Sequence, residues 1–270
     1  MKQKVKYLTL AYLIFLLLFA LSSSLEGVAS DLIYILAFVS PVIFVFLVDR
    51  STDAEEEKKL FRLTGESGEM VALTLGPSVV LVAALSFLTS YLIFITAGKT
   101  DSVNLGDSLV TAIVSYALVP CVIEELLFRY LPMRLLCRHN RRVAVILSSV
   151  FFALAHFSPF RLFYAFVAGV IFMSVDIAAG SIWPSVILHF TNNLLSVLWI
   201  MYGNTSGGKI ALFVIICLLL CLSTVVFVLR RKDLKSKILY VFSSGEAYGL
   251  DPTPLMFIIP AAVLGASALL

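Results

Sequence analysis

The sequence predicts an all-α fold, a polytopic membrane bundle of about eight transmembrane helices. Three observations carry this. Of 270 residues, 60% are hydrophobic and only 14% charged, well outside the balance of a soluble globular domain. Apolar stretches recur at close to the roughly 20 residues needed to cross about 30 Å of hydrocarbon. Basic residues collect in alternate gaps between those stretches, as the positive-inside rule requires.

Taken in order, the predicted spans are Tyr7–Ser24, Leu32–Val48, Met70–Ala97, Leu109–Phe128, Val143–Phe157, Leu162–Ala179, Pro184–Tyr202 and Ile210–Leu229. The first follows Lys2, Lys4 and Lys6, and a second span follows within a few residues. Its apolar core is longer than that of a secretory signal, so it reads as an uncleaved anchor. With the amino terminus in the cytoplasm, 17 basic residues fall inside, Arg129 and Arg134 among them, and only Lys99, Arg161 and Lys209, 3 in all, fall outside. Such a bias would not survive a span missed or invented in mid-chain. The mixed-charge stretch from Asp49 to Glu69 reads as a solvated connector. The tail from Arg230 is basic and turns apolar again at PLMFIIPAAVLGASALL, 17 residues with an internal proline that are left unassigned as a ninth span. Cys121, Cys137, Cys217 and Cys221 lie in spans or on the reducing side, which argues against disulfides. There is no internal repeat and no Gly-rich phosphate loop, and the net charge of +3 follows from topology and does not point to nucleic acid. The chain divides into amino-terminal helices with a cytosolic loop (1–108), a central set of helices (109–202), and a last helix with a basic segment and apolar tail (203–270).

The chemistry concentrates in the central set. In VPCVIEELLFRYLP, two adjacent acids, Glu124 and Glu125, interrupt an apolar run. An ionised group in hydrocarbon costs several kcal/mol, on the order of the insertion cost of an Arg or Asp, so such residues face a protein interior and have a function. Glu125 and Arg129 are four apart on one helical face, in the acid-before-base order that favours pairing, while Glu124 points about 100° away. Glu125 is therefore expected to be held by Arg129, leaving Glu124 free for chemistry. Two of the chain's three histidines sit in apolar segments. His156 follows Phe152 by one turn in FFALAHFSP, and His189 precedes Asn193 by one turn in WPSVILHFTNN. An acid, two imidazoles and a carboxamide form a set able to activate a water and stabilise an oxyanion. Each alone also has a structural reading: a histidine as a hydrogen-bonder, Asn193 as helix-packing glue, and the acids as an ion or proton relay. Asp176, near the inner end of its span, reads as interfacial and His139 as part of a solvated loop.

EELLFR, FALAH and HFTNN resemble the three motifs EExxxR, FxxxH and HxxxN of the CPBP family of intramembrane peptidases, which includes the type II CAAX prenyl endopeptidases and the Abi proteins. GSIWPS, just before the last motif, is also similar to the family. The resemblance covers about Leu109 to Tyr202 and departs at no motif position.

That resemblance implies an intramembrane (metallo)endopeptidase in which Glu124, His156, His189 and Asn193 are catalytic and Glu125, Arg129 and Phe152 support the site. It implies Glu124 as general base, His156 as a ligand of the attacking water, and His189 with Asn193 as oxyanion donors. Glu124, His156 and His189 could hold a divalent metal such as Zn²⁺ with one position open, yet no HExxH helix is present, and a metal-free glutamate mechanism fits the same residues. The depths of Glu124, His156 and His189 along their spans require a short or tilted fifth helix. Expected partners are a peptide or protein substrate reaching the membrane and the lipid bilayer, in the plasma membrane of a prokaryote. A transporter or proton relay, or a non-catalytic membrane scaffold, are the competing classes. Against the first stands the lack of a repeated half.

Overall fold

The structure is a computed structural model that describes residues 2–50, 54–97, 105, 106, 108–156 and 159–242. The apolar tail and its unassigned span lie outside the described residues, as does Phe157 at the end of the fifth predicted span. All secondary structure among the described residues is helical: α1 (Lys2–Ser23), α2 (Gly27–Val48), α3 (Ala54–Leu60), α4 (Gly65–Ala97), α5 (Leu109–Leu136), α6 (Arg141–Leu154), α7 (Pro159–Ala179), α8 (Trp183–Tyr202) and α9 (Ser206–Phe242).

Seven of the described helices are long and apolar enough to cross a membrane. Of the eight predicted spans, the exception is α6. Its 14 residues rise about 21 Å, well short of the hydrocarbon thickness. The fifth predicted span is thus a short helix that ends at Leu154, with Ala155 and His156 in the turn beyond it. Leu17, Val28, Phe87, Val110 and Leu229 are each more than 70% exposed, the outward apolar surface that a bilayer covers.

Helix α5 runs eight residues beyond its expected end at Phe128, and it takes Arg129 and Arg134 into the protein with it. Two wide π turns, Val114–Leu118 and Leu126–Tyr130, interrupt it. Pro132 follows the second turn. Because Pro132 has no amide hydrogen, the carbonyls four and five residues before it lose a helical donor. Side chains replace that donor: Ser148 Oγ donates to Phe128 O at 2.5 Å and Tyr12 Oη to Leu127 O at 3.4 Å. The π turn beside the acids is therefore stitched to α6 and to α1.

The segment from Asp49 to Glu69 departs from its reading as a solvated connector. Asp49 is 3% exposed and pairs with Lys4. Arg134 donates to Glu57 at 2.5 Å and to the Asp49 carbonyl at 2.7 Å. Ile182 N–H donates to Leu60 O at 2.9 Å, and Trp183 Nε1 to Phe61 O at 2.7 Å. This loop ties the end of α5 to the start of α8, because the buried Arg134 needs the acids that the loop carries.

Small residues let the helices close. A Cβ on Gly169 of α7 would lie 2.8 Å from Ser149 Cα of α6, so only glycine fits that crossing without movement. The aromatic core beneath the site joins Tyr12 and Phe15 of α1, Phe128 of α5 and Phe151 of α6.

Candidate active site

Glu125 is the best-compensated charge of the site. Its Oε2 lies 3.1 Å from Arg129 Nε, with both side chains fully buried. Arg129 is held in turn from α6: Nη1 donates to Ser148 Oγ at 3.3 Å, and the guanidinium lies 4.5 Å from the centroid of the Phe152 ring. Phe152 is the hub of the cluster. Its ring meets His156 at 4.9 Å and His189 at 5.7 Å, both edge to face.

The second partner of Glu125 is one the sequence did not reveal. His189 Nδ1 lies 2.7 Å from Glu125 Oε1, and its Nε2 lies 3.9 Å from Glu124 Oε2. One imidazole thus faces both acids. The carboxylate that Arg129 neutralises is acceptor-only, so Nδ1 carries the hydrogen, and a neutral His189 presents the Nε2 lone pair toward Glu124. His156 has the same tautomer for a different reason. Its Nδ1 lies 2.8 Å from the Phe152 carbonyl, which can only accept, so the free lone pair is again on Nε2.

Glu124 and Glu125 differ as their helical phase predicts. The Glu125 side chain is 0% exposed and that of Glu124 19%. Glu124 therefore keeps part of its surface exposed, and Glu125 is sealed. Asn193 sits one turn beyond His189 on the same face of α8, partly buried. The structure thus draws Glu124, Glu125, Arg129, Phe152 and His189 into one contact network, with His156 against Phe152.

A resident metal meets a poor fit. Among the described residues, no three His, Cys, Asp or Glu side chains converge as a metal-holding group. Glu124 and His189 Nε2 approach each other, but His156 does not join them as a third ligand among the described residues.

Three residues of the network carried no role in the sequence reading. Ser148 and Ser185 lie four residues before Phe152 and His189, one turn back on the same faces. Asp176, expected at the interface, is 0% exposed. Its Oδ1 accepts the Ser185 N–H at 2.8 Å. The chain turns sharply at Gly180 (φ 65°), and that turn folds the end of α7 under the first turn of α8.

Compared with known proteins, residues 106–195, a third of the chain, match the family model described as type II CAAX prenyl endopeptidase Rce1-like. No curated protein and no solved structure matches the chain. The matched segment spans the three motifs and supports a CPBP-type intramembrane protease.

Proposed function

Taking residues 106–195 as a CPBP-type segment with the Rce1-like family's character, we propose that this protein is an intramembrane endopeptidase in which Glu124 activates the hydrolytic water. The observation that carries the reading is the asymmetry of the two acids. Glu125 is sealed between Arg129 and His189, while Glu124 keeps one partly exposed face 3.9 Å from His189 Nε2.

A Glu124 oxygen accepts a proton from water as the water oxygen attacks the scissile carbonyl. The His156 Nε2 lone pair accepts a hydrogen bond from the water's second O–H, which stays on the oxygen, and so orients it. The Asn193 amide donates to the oxygen that becomes negative. When neutral, His189 holds its Nε2 lone pair beside Glu124; doubly protonated between the two acids, it donates from Nε2 to the oxyanion. When the C–N bond breaks, Glu124 returns its proton to the departing nitrogen, which balances the cycle. Each step uses residues of this chain, and none is routed through a metal. The substrate is a peptide or protein segment that reaches the membrane. The lopsided basic residues support a cytoplasmic amino terminus, and the proposal places the protein in the plasma membrane of a prokaryote.

The test is purification in detergent and a peptide-cleavage screen, with and without chelator, against Glu124→Gln. Cleavage by the native protein that Glu124→Gln abolishes supports the reading. No cleavage, together with proton or ion flux in proteoliposomes that depends on Glu124, would replace it with a relay.

A further inference from the structure

The site's histidine helix, α8, starts inside the protein and must be set at the right height and rotation for His189 to reach Glu125. Its first turn meets the last turn of α7 across the three-residue connection Gly180, Ser181 and Ile182. Asp176 occupies that junction. Its backbone carbonyl accepts the Ser181 N–H at 3.1 Å, closing the helix end, and its side chain accepts the Ser185 N–H at 2.8 Å. A carboxylate there also meets the positive end of the α8 dipole. Ser185 lies four residues before His189, on the same face, and its side chain sits beside the carboxyl groups of both Glu125 and Asp176.

We propose that Asp176 is a positioning residue of the active site: by holding Ser185 it sets the rotation of α8 that delivers His189 Nδ1 to Glu125. This rests on the peptidase reading for its kinetic consequence, but not for its structural one. Further bonds on this turn run from Ile182 N–H to Leu60 O and from Trp183 Nε1 to Phe61 O, tying it to the connector, while Ser185 Oγ donates to Ile182 O at 3.0 Å. Asp176 Oδ2 has no hydrogen-bond partner among the described residues, so an amide in its place displaces no bond.

The experiment compares Asp176→Asn, Asp176→Glu and Asp176→Leu in detergent. One readout is the ring Nδ1 proton of His189, observed with selectively ¹⁵N-labelled histidine and assigned by its loss in His189→Gln. The other is kcat and KM for any peptide the native protein cleaves. Asp176→Asn keeps an acceptor in place and should keep the Nδ1 resonance, with kcat within about threefold of native. Asp176→Leu loses the acceptor and Asp176→Glu shifts it by one methylene. Both should broaden or lose the resonance and lower kcat roughly 10- to 100-fold with KM little changed, the scale of a misplaced catalytic group. A native resonance in Asp176→Leu would overturn the proposal. So would Asp176→Glu behaving as native while Asp176→Asn fails, since charge would then matter and position would not. If Asp176→Leu does not accumulate, the Asn and Glu pair still decides. If the native protein cleaves nothing, the peptidase reading fails, and the resonance still tests the positioning.

Discussion

Glu125→Gln is the perturbation that tests most directly how the two acids divide their work. Glu125 makes two short contacts, 3.1 Å to Arg129 and 2.7 Å to His189, with no exposure to screen either. Removing one side of a buried ion pair costs roughly 3–5 kcal/mol, chiefly through the charge left behind. The Gln carbonyl still accepts from one donor, which restores about 1 kcal/mol. The net loss is then about 2–4 kcal/mol. At roughly 2–4 °C per kcal/mol for a chain of this size, the melting temperature falls on the order of 10 °C. Activity should fall as well, because His189 loses its acceptor or Arg129 its counter-charge. Glu124→Gln should do the opposite: it keeps shape, stays within about 2 °C of native on the same scale, and abolishes turnover. Thermal unfolding by intrinsic fluorescence in detergent, run beside the cleavage assay, separates them. If Glu125→Gln melts with the native protein and is dead while Glu124→Gln cleaves normally, the two roles are reversed.

Asn193→Ala should lower kcat about 10²- to 10³-fold, the usual effect of removing one oxyanion donor, with melting unchanged; a loss of stability without a specific loss of kcat would make it packing glue. Gly169→Leu forces α6 and α7 apart at Ser149, which should cost about 1–3 kcal/mol and reduce cleavage through displacement of Phe152 and His156. Native melting would show that the crossing is not tight. Reporter fusions after Val48 and near Arg138 should be cytosolic and one near Gly207 external, and an external signal near Arg138 would overturn the topology.

Seven of the eight predicted spans and the Glu125–Arg129 pair were legible because both depend on local pattern, apolar length in one case and a four-residue step in the other. The full length of α5 was not. Arg129 reads as the polar end of a span until Glu125, Ser148 and Phe152 are seen around it, and those last two come from another helix. Asp176 was misplaced for a related reason: residues near the end of an apolar run reach the interface only if the next helix does not start beneath them, and α8 does. One signal was present and would have helped. Ser148, Phe152 and His156 step by four, and so do Ser185, His189 and Asn193. A small polar residue one turn before a motif, on the motif's own face, marks where a neighbouring helix will supply or need a hydrogen bond.

The adjacency of Glu124 and Glu125 follows from the same geometry. A reactive carboxylate in a membrane must be exposed enough to meet water, yet it needs a fixed neighbour against which substrate and proton are placed. A second acid one residue on points about 100° away, into the protein, and cannot serve as a second base. Its charge can instead hold two groups from other directions, Arg129 from its own helix and His189 from α8. The wide turn from Leu126 to Tyr130 serves this arrangement, because it places Arg129 under Glu125 while Pro132 leaves carbonyls that α1 and α6 must satisfy. Removing the proline tests that account: Pro132→Ala gives α5 back an amide donor to compete with Ser148 and Tyr12. It should leave the Glu125–Arg129 pair intact but loosen α6, so that cleavage falls more than stability. A Pro132→Ala variant with native turnover would show that the helix alone, without its stitches to α1 and α6, is enough to hold the site.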